Sequence, residues 1–351
     1  MSDRIKVSIY VHKWLIAIIA TYSIAAMYIK SHLLSQYKQP LMFDSLGILI
    51  TLTIWILILS CYSVYVMIFI RPHKLTNFLS NNLQQRLTME RFIHSLPVIV
   101  LLPIFVSSFT IFKAAIPVFH FYAWDERLAE WDRILHLGID PWRWLQIFFT
   151  FPLVTFVINF FYNLWFFILY GVIYYLAFSM KNLKLRMQFL LSFVLSWIVL
   201  GTIFATVFSS VGPCYYGYLF PKKNPFAPLM LYLNNANQHF PIWALDTQQM
   251  LWNNANDKAE MYQLGISAMP SMHVATAVLI ALWAARINWG LGIFGIFFTF
   301  IILIGSIHLG WHYALDGYIG GLGAYMIWHG VGWKLRQTTP MQASKKILNT
   351  I

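Results

Sequence analysis

Long apolar runs separated by short basic turns dominate this chain. A run of about 20 apolar residues spans a bilayer as a helix, because each backbone polar group must find its partner within the segment. Such runs cover residues 14–29, 46–70, 93–116, 154–178, 187–209, 271–286, 290–307 and 313–333. With 59% hydrophobic and 10% charged residues, an ordinary soluble domain is excluded. The spacing predicts an all-α polytopic membrane helix bundle of about eight spans, a six-helix core with two extra N-terminal spans. The first run is read as an uncleaved span, since no clear small-residue cleavage site follows it. The predicted division is a two-span extension over 1–92, a core over 93–335 and a cytoplasmic tail over 336–351.

A net charge of +12 invites a nucleic-acid reading. The placement of the charges argues against it, because they sit in turns between apolar runs, where they orient a membrane protein. Of the 24 Lys and Arg residues, 15 fall in the N-terminus, the turns at 71–92, 179–186 and 286–289, and the tail. Eight lie on the opposite side, although its loops are longer, and Lys113 lies within a span. This bias places both termini in the cytoplasm and makes the protein integral to a membrane, most simply the cytoplasmic membrane of a bacterium. Two cysteines, Cys61 and Cys214, offer no disulfide framework.

Two segments between the runs are not simple turns. Residues 118–153 mix Trp124, Trp131 and Trp142 with Asp125, Glu126, Arg127, Asp132, Arg133 and Arg143, which predicts an amphipathic helix lying in the interface. Asp140-Pro141 then marks a fresh helix start. Residues 210–269 carry GPCYYGYLFPKKNPF and an Asn-rich patch, and their aromatics predict an ordered cap over the membrane surface.

Ionisable side chains at the rim of a span are costly and mark a site. Pro270-Ser271-Met272-His273 opens one apolar run, and His312-Tyr313-Ala314-Leu315-Asp316 opens another two runs later. Crossing and returning puts His273 and His312 on one face of the membrane, the periplasmic or lumenal one. His312 and Asp316 are four apart and share a helix side. The carboxylate can hold one imidazole nitrogen and leave the other free to attack, with His273 as proton donor to a leaving group. Amides at the helix start after Pro270, taken as the first helical residue, favour an anion such as phosphate.

PSMH followed by HYALD resembles the second and third motifs, PSGH and SRxxxxxHxxxD, of the type 2 phosphatidic acid phosphatase superfamily. GISAMPSMHVA, HLGWHYALDG and the upstream GPCYYG are most similar to the branch containing inositol phosphorylceramide synthase. The resemblance implies a phosphatase-like core and a phosphohistidine mechanism without metal or other cofactor. It makes His312 the nucleophile, Asp316 its orienting partner and His273 the acid. The implied partners are a lipid phosphate, membrane lipids and an alcohol acceptor such as inositol, with no nucleic acid.

The chain departs from that pattern where phosphate-clamping cations are expected. The arginine six residues before the nucleophile is Ser306 here, and the first motif, KxxxxxxRP, is absent. Arg71-Pro72 lacks the lysine and falls on the wrong side of the membrane. Four residues are candidates for phosphate or substrate contact. Ser271 caps its helix, contacts phosphate, or both. Lys113 either snorkels to the surface or faces the anion. Lys222, beside Lys223, either reaches phosphate or is a solvated loop lysine. His308, four before His312, reads as a polar neighbour, since a metal site needs three or four ligands. Hydrolysis and headgroup transfer share this chemistry and both stay open. A transporter is disfavoured because no internal symmetry is present, and a non-catalytic scaffold because the His-His-Asp set is intact.

Overall fold

The computed structural model describes residues 2–35, 53, 56–57, 59–86, 88–256 and 265–337, and among them the chain is all helix and connecting turns. The first helix, α1 (Ser2–His32), runs well beyond the expected span on both sides. Then come α2 (Leu75–Arg86), α3 (Met89–Phe119), α4 (Asp125–Leu135), α5 (Pro141–Phe149) and α6 (Pro152–Phe178). Helix α7 (Leu183–Val207) contains a π-helical stretch at Val199–Phe204. The segment between α7 and the PSMH stretch folds into α8 (Pro213–Leu219), α9 (Ala227–Asn237) and α10 (Trp243–Asn256). The chain closes with α11 (Met272–Ala285), α12 (Trp289–His308) and α13 (Ala314–Gln337).

Five of these helices, α1, α3, α6, α7 and α12, are long and apolar enough to cross a membrane. The protein is therefore an integral membrane protein, but eight crossings are not what the helices show. Helix α11 is apolar but only 14 residues long. Helix α13 has 24 residues, yet its glycines, Asp316, Lys334 and Arg336 lower its mean hydropathy. Of the run at 46–70, only an apolar helix at Leu59–Ile70 is described. Most of the tail, 338–351, lies outside the described residues.

Helix α11 sits at the centre. It packs against α12, α13, α7 and α6, and buries Val274, Ala275, Thr276, Ala277, Leu279, Ile280, Ala281 and Ala284. Such all-round burial suits a helix of small and β-branched residues, which lets backbones approach closely. Gly292 and Gly295 of α12 lie against Ala285 and Ala281, so close that a Cβ on either glycine would sit under 3.0 Å from them. Gly320 of α13 lies against the backbone of Ser271 in the same way. Gly321 has only ordinary contacts, so the close seam along α13 is carried by Gly317, Gly320 and Gly323.

Helix α1 is fastened along α3 and α7 by polar contacts. Ser8 Oγ donates to Ile93 O, Tyr22 OH lies 2.7 Å from Thr202 Oγ1, and Ser108 Oγ donates to Ser23 Oγ. Deeper in, Arg186 Nη2 lies 3.0 Å from both His12 Nε2 and His94 O.

Candidate active site

The start of α11 and the start of α13 meet. Ser271 caps α11, its Oγ accepting from Val274 N, while its own amide donates to Asp316 O at 3.0 Å. Pro270 thus lies one residue outside the cap, not at the first helical position. His312 N donates to Ser306 O, and its Nδ1 lies 3.3 Å from Asp316 Oδ2, both side chains buried. The same Oδ2 accepts Tyr313 N at 3.1 Å, while Oδ1 has no hydrogen-bond partner among the described residues. This leaves His312 Nε2 as the outward nitrogen. The His273 and His312 rings lie 6.4 Å apart, centre to centre.

His273 is held by aromatic rings of α6. Tyr162 stacks on it at 4.6 Å and 18°, Trp165 lies at 4.1 Å and Phe166 meets it edge-on at 5.9 Å. Trp165 is itself fixed by Nε1 donating to Thr276 Oγ1. These rings fix the orientation of the buried imidazole.

The surface helix α4 supplies two carboxylates that the interface reading of residues 118–153 overlooked. Asp125 accepts Val211 N, Gly212 N and the Tyr313 hydroxyl, the last at 2.9 Å. Asp132 accepts Ala314 N at 2.9 Å and Leu315 N at 3.0 Å, capping α13 from outside. Burial pushes the Asp125 carboxyl up and the Asp132 carboxyl up to about 6, against the amides that favour the charged forms. The signal was present in the sequence. Asp125, Leu128, Ala129 and Asp132 recur at helical spacing, so the two aspartates lie on the apolar stripe, not the wet face. Gly212 completes the junction at φ +90°, where a Cβ would strike Trp311 O at 2.6 Å.

The other predicted residues divide. Lys113, half-buried near the C-terminal end of α3, acts electrostatically on His273 and has no ion pair among the described residues. Lys222 is exposed in the turn Pro221–Lys223, and no bond joins it to the histidines among the described residues. His308 is fully buried, but its Nε2 pairs with Thr155 Oγ1 at 2.9 Å. Thr155 pairs in turn with the Tyr232 hydroxyl, which donates to Phe149 O. His308 therefore belongs to a strut between α6, α9 and α12. Ser306, at the expected arginine position, is buried with Oγ donating back to Leu303 O. A small cleft opens beside His312, lined also by Asp132, Trp142, Pro213, Phe226 and Tyr313.

A pair of histidines, one braced by a carboxylate, at the starts of two contacting helices is what the superfamily motifs specify, and the model of the PAP2 superfamily matches residues 126–331. The chain belongs to the PAP2 superfamily. No curated protein and no solved structure matches it. The PAP2 match covers α5 through α12 entire, nearly all of α4, and α13 as far as residue 331. It implies a phosphatase-type enzyme acting on a phosphate ester. Lys113 and α1 lie before it.

Proposed function

We propose that this PAP2 protein is an integral-membrane lipid phosphatase or phosphotransferase that works through a phosphohistidine. The observation that carries the reading is the buried His312–Asp316 pair at 3.3 Å with the His273 ring 6.4 Å away. A tetrahedral phosphate fits between two imidazoles at that separation. His312 Nε2 attacks phosphorus as the bond to the lipid oxygen breaks. His273 gives its proton to that departing oxygen. Asp316 holds the Nδ1–H and steadies the imidazolium. Water or an alcohol then attacks phosphorus, the N–P bond breaks, and His273 takes the proton back. Charge on the equatorial oxygens is met by positioned donors, which supply most of the rate in such transfers.

By the positive-inside bias, the site faces the periplasm or lumen and both termini face the cytoplasm. A lipid enters laterally between helices, and the core that handles it runs over 93–335. The likeness of GISAMPSMHVA and HLGWHYALDG to the inositol phosphorylceramide synthase branch supports transfer to an alcohol such as inositol. The chemistry up to the phosphohistidine supports hydrolysis equally. Purified protein given a panel of lipid phosphates with and without inositol separates the two. Free phosphate marks hydrolysis, and a new phospho-headgroup product marks transfer. His312→Ala is expected to abolish either, and vanadate to inhibit both. Full turnover by His312→Ala would refute the mechanism.

A further inference from the structure

We propose that the hydroxyl of Tyr162 is a phosphate-binding donor of this site, a neutral group standing where the family pattern calls for a cation. The inference rests on the reading of His312 and His273 given above and deepens it. The site is short of positive charge. Ser306 occupies the arginine position, and its hydroxyl is turned back into its own helix. Arg133 and Arg143 are both engaged by Asp140, and Arg127 lies over the Trp124 ring. Among the described residues, Lys113 is the lysine or arginine whose charge acts on His273. One ammonium is too few for a group that develops charge on three equatorial oxygens.

Tyr162 is 5% exposed, and its hydroxyl has no hydrogen-bond partner among the described residues. A buried hydroxyl without a partner costs about 1–3 kcal/mol, so its retention calls for a cause. Its ring lies flat on His273 at 4.6 Å. Its hydroxyl, at the end of a ring stacked on His273, therefore lies within a side chain's length of the acid histidine. If packing were its whole role, phenylalanine would fill the same volume without the cost.

A neutral donor also fits this position better than a guanidinium. A second cation against His273 would oppose the protonated imidazole that the leaving group needs. The tyrosine offers an O–H to a non-bridging phosphate oxygen. No proton leaves the tyrosine in the reaction, and it serves only as a hydrogen-bond donor.

The test is Tyr162→Phe, which keeps the stacked ring. Loss of one preorganised donor is expected to lower kcat/KM on a lipid phosphate about 10²-fold. Vanadate should bind about tenfold more weakly, read by its protection against thermal unfolding. The melting temperature should hold or rise, because an unpartnered buried group is gone. A structural role predicts the opposite, a fall in melting temperature. Wild-type kcat/KM and vanadate affinity in Tyr162→Phe, or a destabilised variant, overturn the proposal while His312→Ala remains dead and the phosphohistidine reading stands. Turnover by His312→Ala, or a wild type that neither turns over the panel nor binds vanadate, overturns both.

Discussion

Replacing Gly320 by alanine tests how closely the two halves of the site must be held. A Cβ at that position would lie 2.5 Å from Ser271 O, with Ser271 C and N at 3.3 and 3.4 Å. These are backbone atoms, so no side chain can swing away. Contacts under 3.0 Å are not tolerated, so the Ser271–His273 turn must retreat from α13 by half an ångström or more. That movement carries His273 away from His312 and stretches the bond from Ser271 N to Asp316 O. Overpacking of this kind costs about 1–3 kcal/mol of stability. A misplacement approaching 1 Å costs about 10²-fold in rate, so a loss of about 10- to 10²-fold in kcat is expected with the fold retained. The assay is turnover of a lipid phosphate in detergent micelles, with circular dichroism and thermal unfolding as controls. Gly321→Ala, whose Cβ meets only side-chain carbons at 3.5 and 3.7 Å, and Gly330→Ala, with nothing within 4 Å, should be silent. Wild-type kcat in Gly320→Ala, or equal losses in all three, would show that the close approach does not set the histidine spacing.

Three further predictions follow from the same geometry. The folded protein holds the Asp132 proton up to about pH 6, above the ordinary carboxylate value. Stability from that proton is complete below about pH 4 and lost as pH rises through about 6, a swing of about 3 kcal/mol. Asp132→Asn should flatten the wild-type melting profile between pH 4 and 7, and an unchanged profile would exclude Asp132 as its source. Lys113→Gln should raise KM for a lipid phosphate about tenfold with a smaller change in kcat; no change in KM would return Lys113 to the role of a snorkelling lysine. His12→Leu removes one of the two acceptors of Arg186 Nη2, leaving a buried charged donor short of a partner at a cost of about 1–3 kcal/mol. A melting temperature equal to wild type would show that this contact does not anchor α1.

What the sequence made legible was periodic or local. Apart from the start of α1, apolar runs placed the long helices to within a few residues, because bilayer solvation leaves a backbone few alternatives. The four-residue spacing of His312 and Asp316 located their pair. The contribution of α4 was missed because charged residues with tryptophans read as an interface helix; Asp132 faces inward to cap a helix some 180 residues later, and Asp125 accepts the Tyr313 hydroxyl. His308 misled for the converse reason. Its spacing from His312 suggests a shared face, but the chain breaks helix at Leu309 and turns at Gly310, φ +76°, which points the two rings to different partners. Five helices are long and apolar enough to cross a membrane, and eight crossings are not shown: apolar runs alone do not reveal a helix as short as α11 or one as glycine-rich as α13.

Arg186 gives the arrangement a last consequence. It lies within the stretch that carries the family signature, but both groups that satisfy its Nη2, His12 and His94, lie before that stretch. Phe109, also outside it, fills the notch over Gly201 beside Met272, one residue from His273. Cutting the chain at residue 126 would strip a guanidinium of its acceptors in the middle of the bundle and open a hole behind the Ser271–His273 turn. The signature segment is therefore not a portable cassette, and chimaeras with other members of the superfamily should carry α1 and α3 along with it.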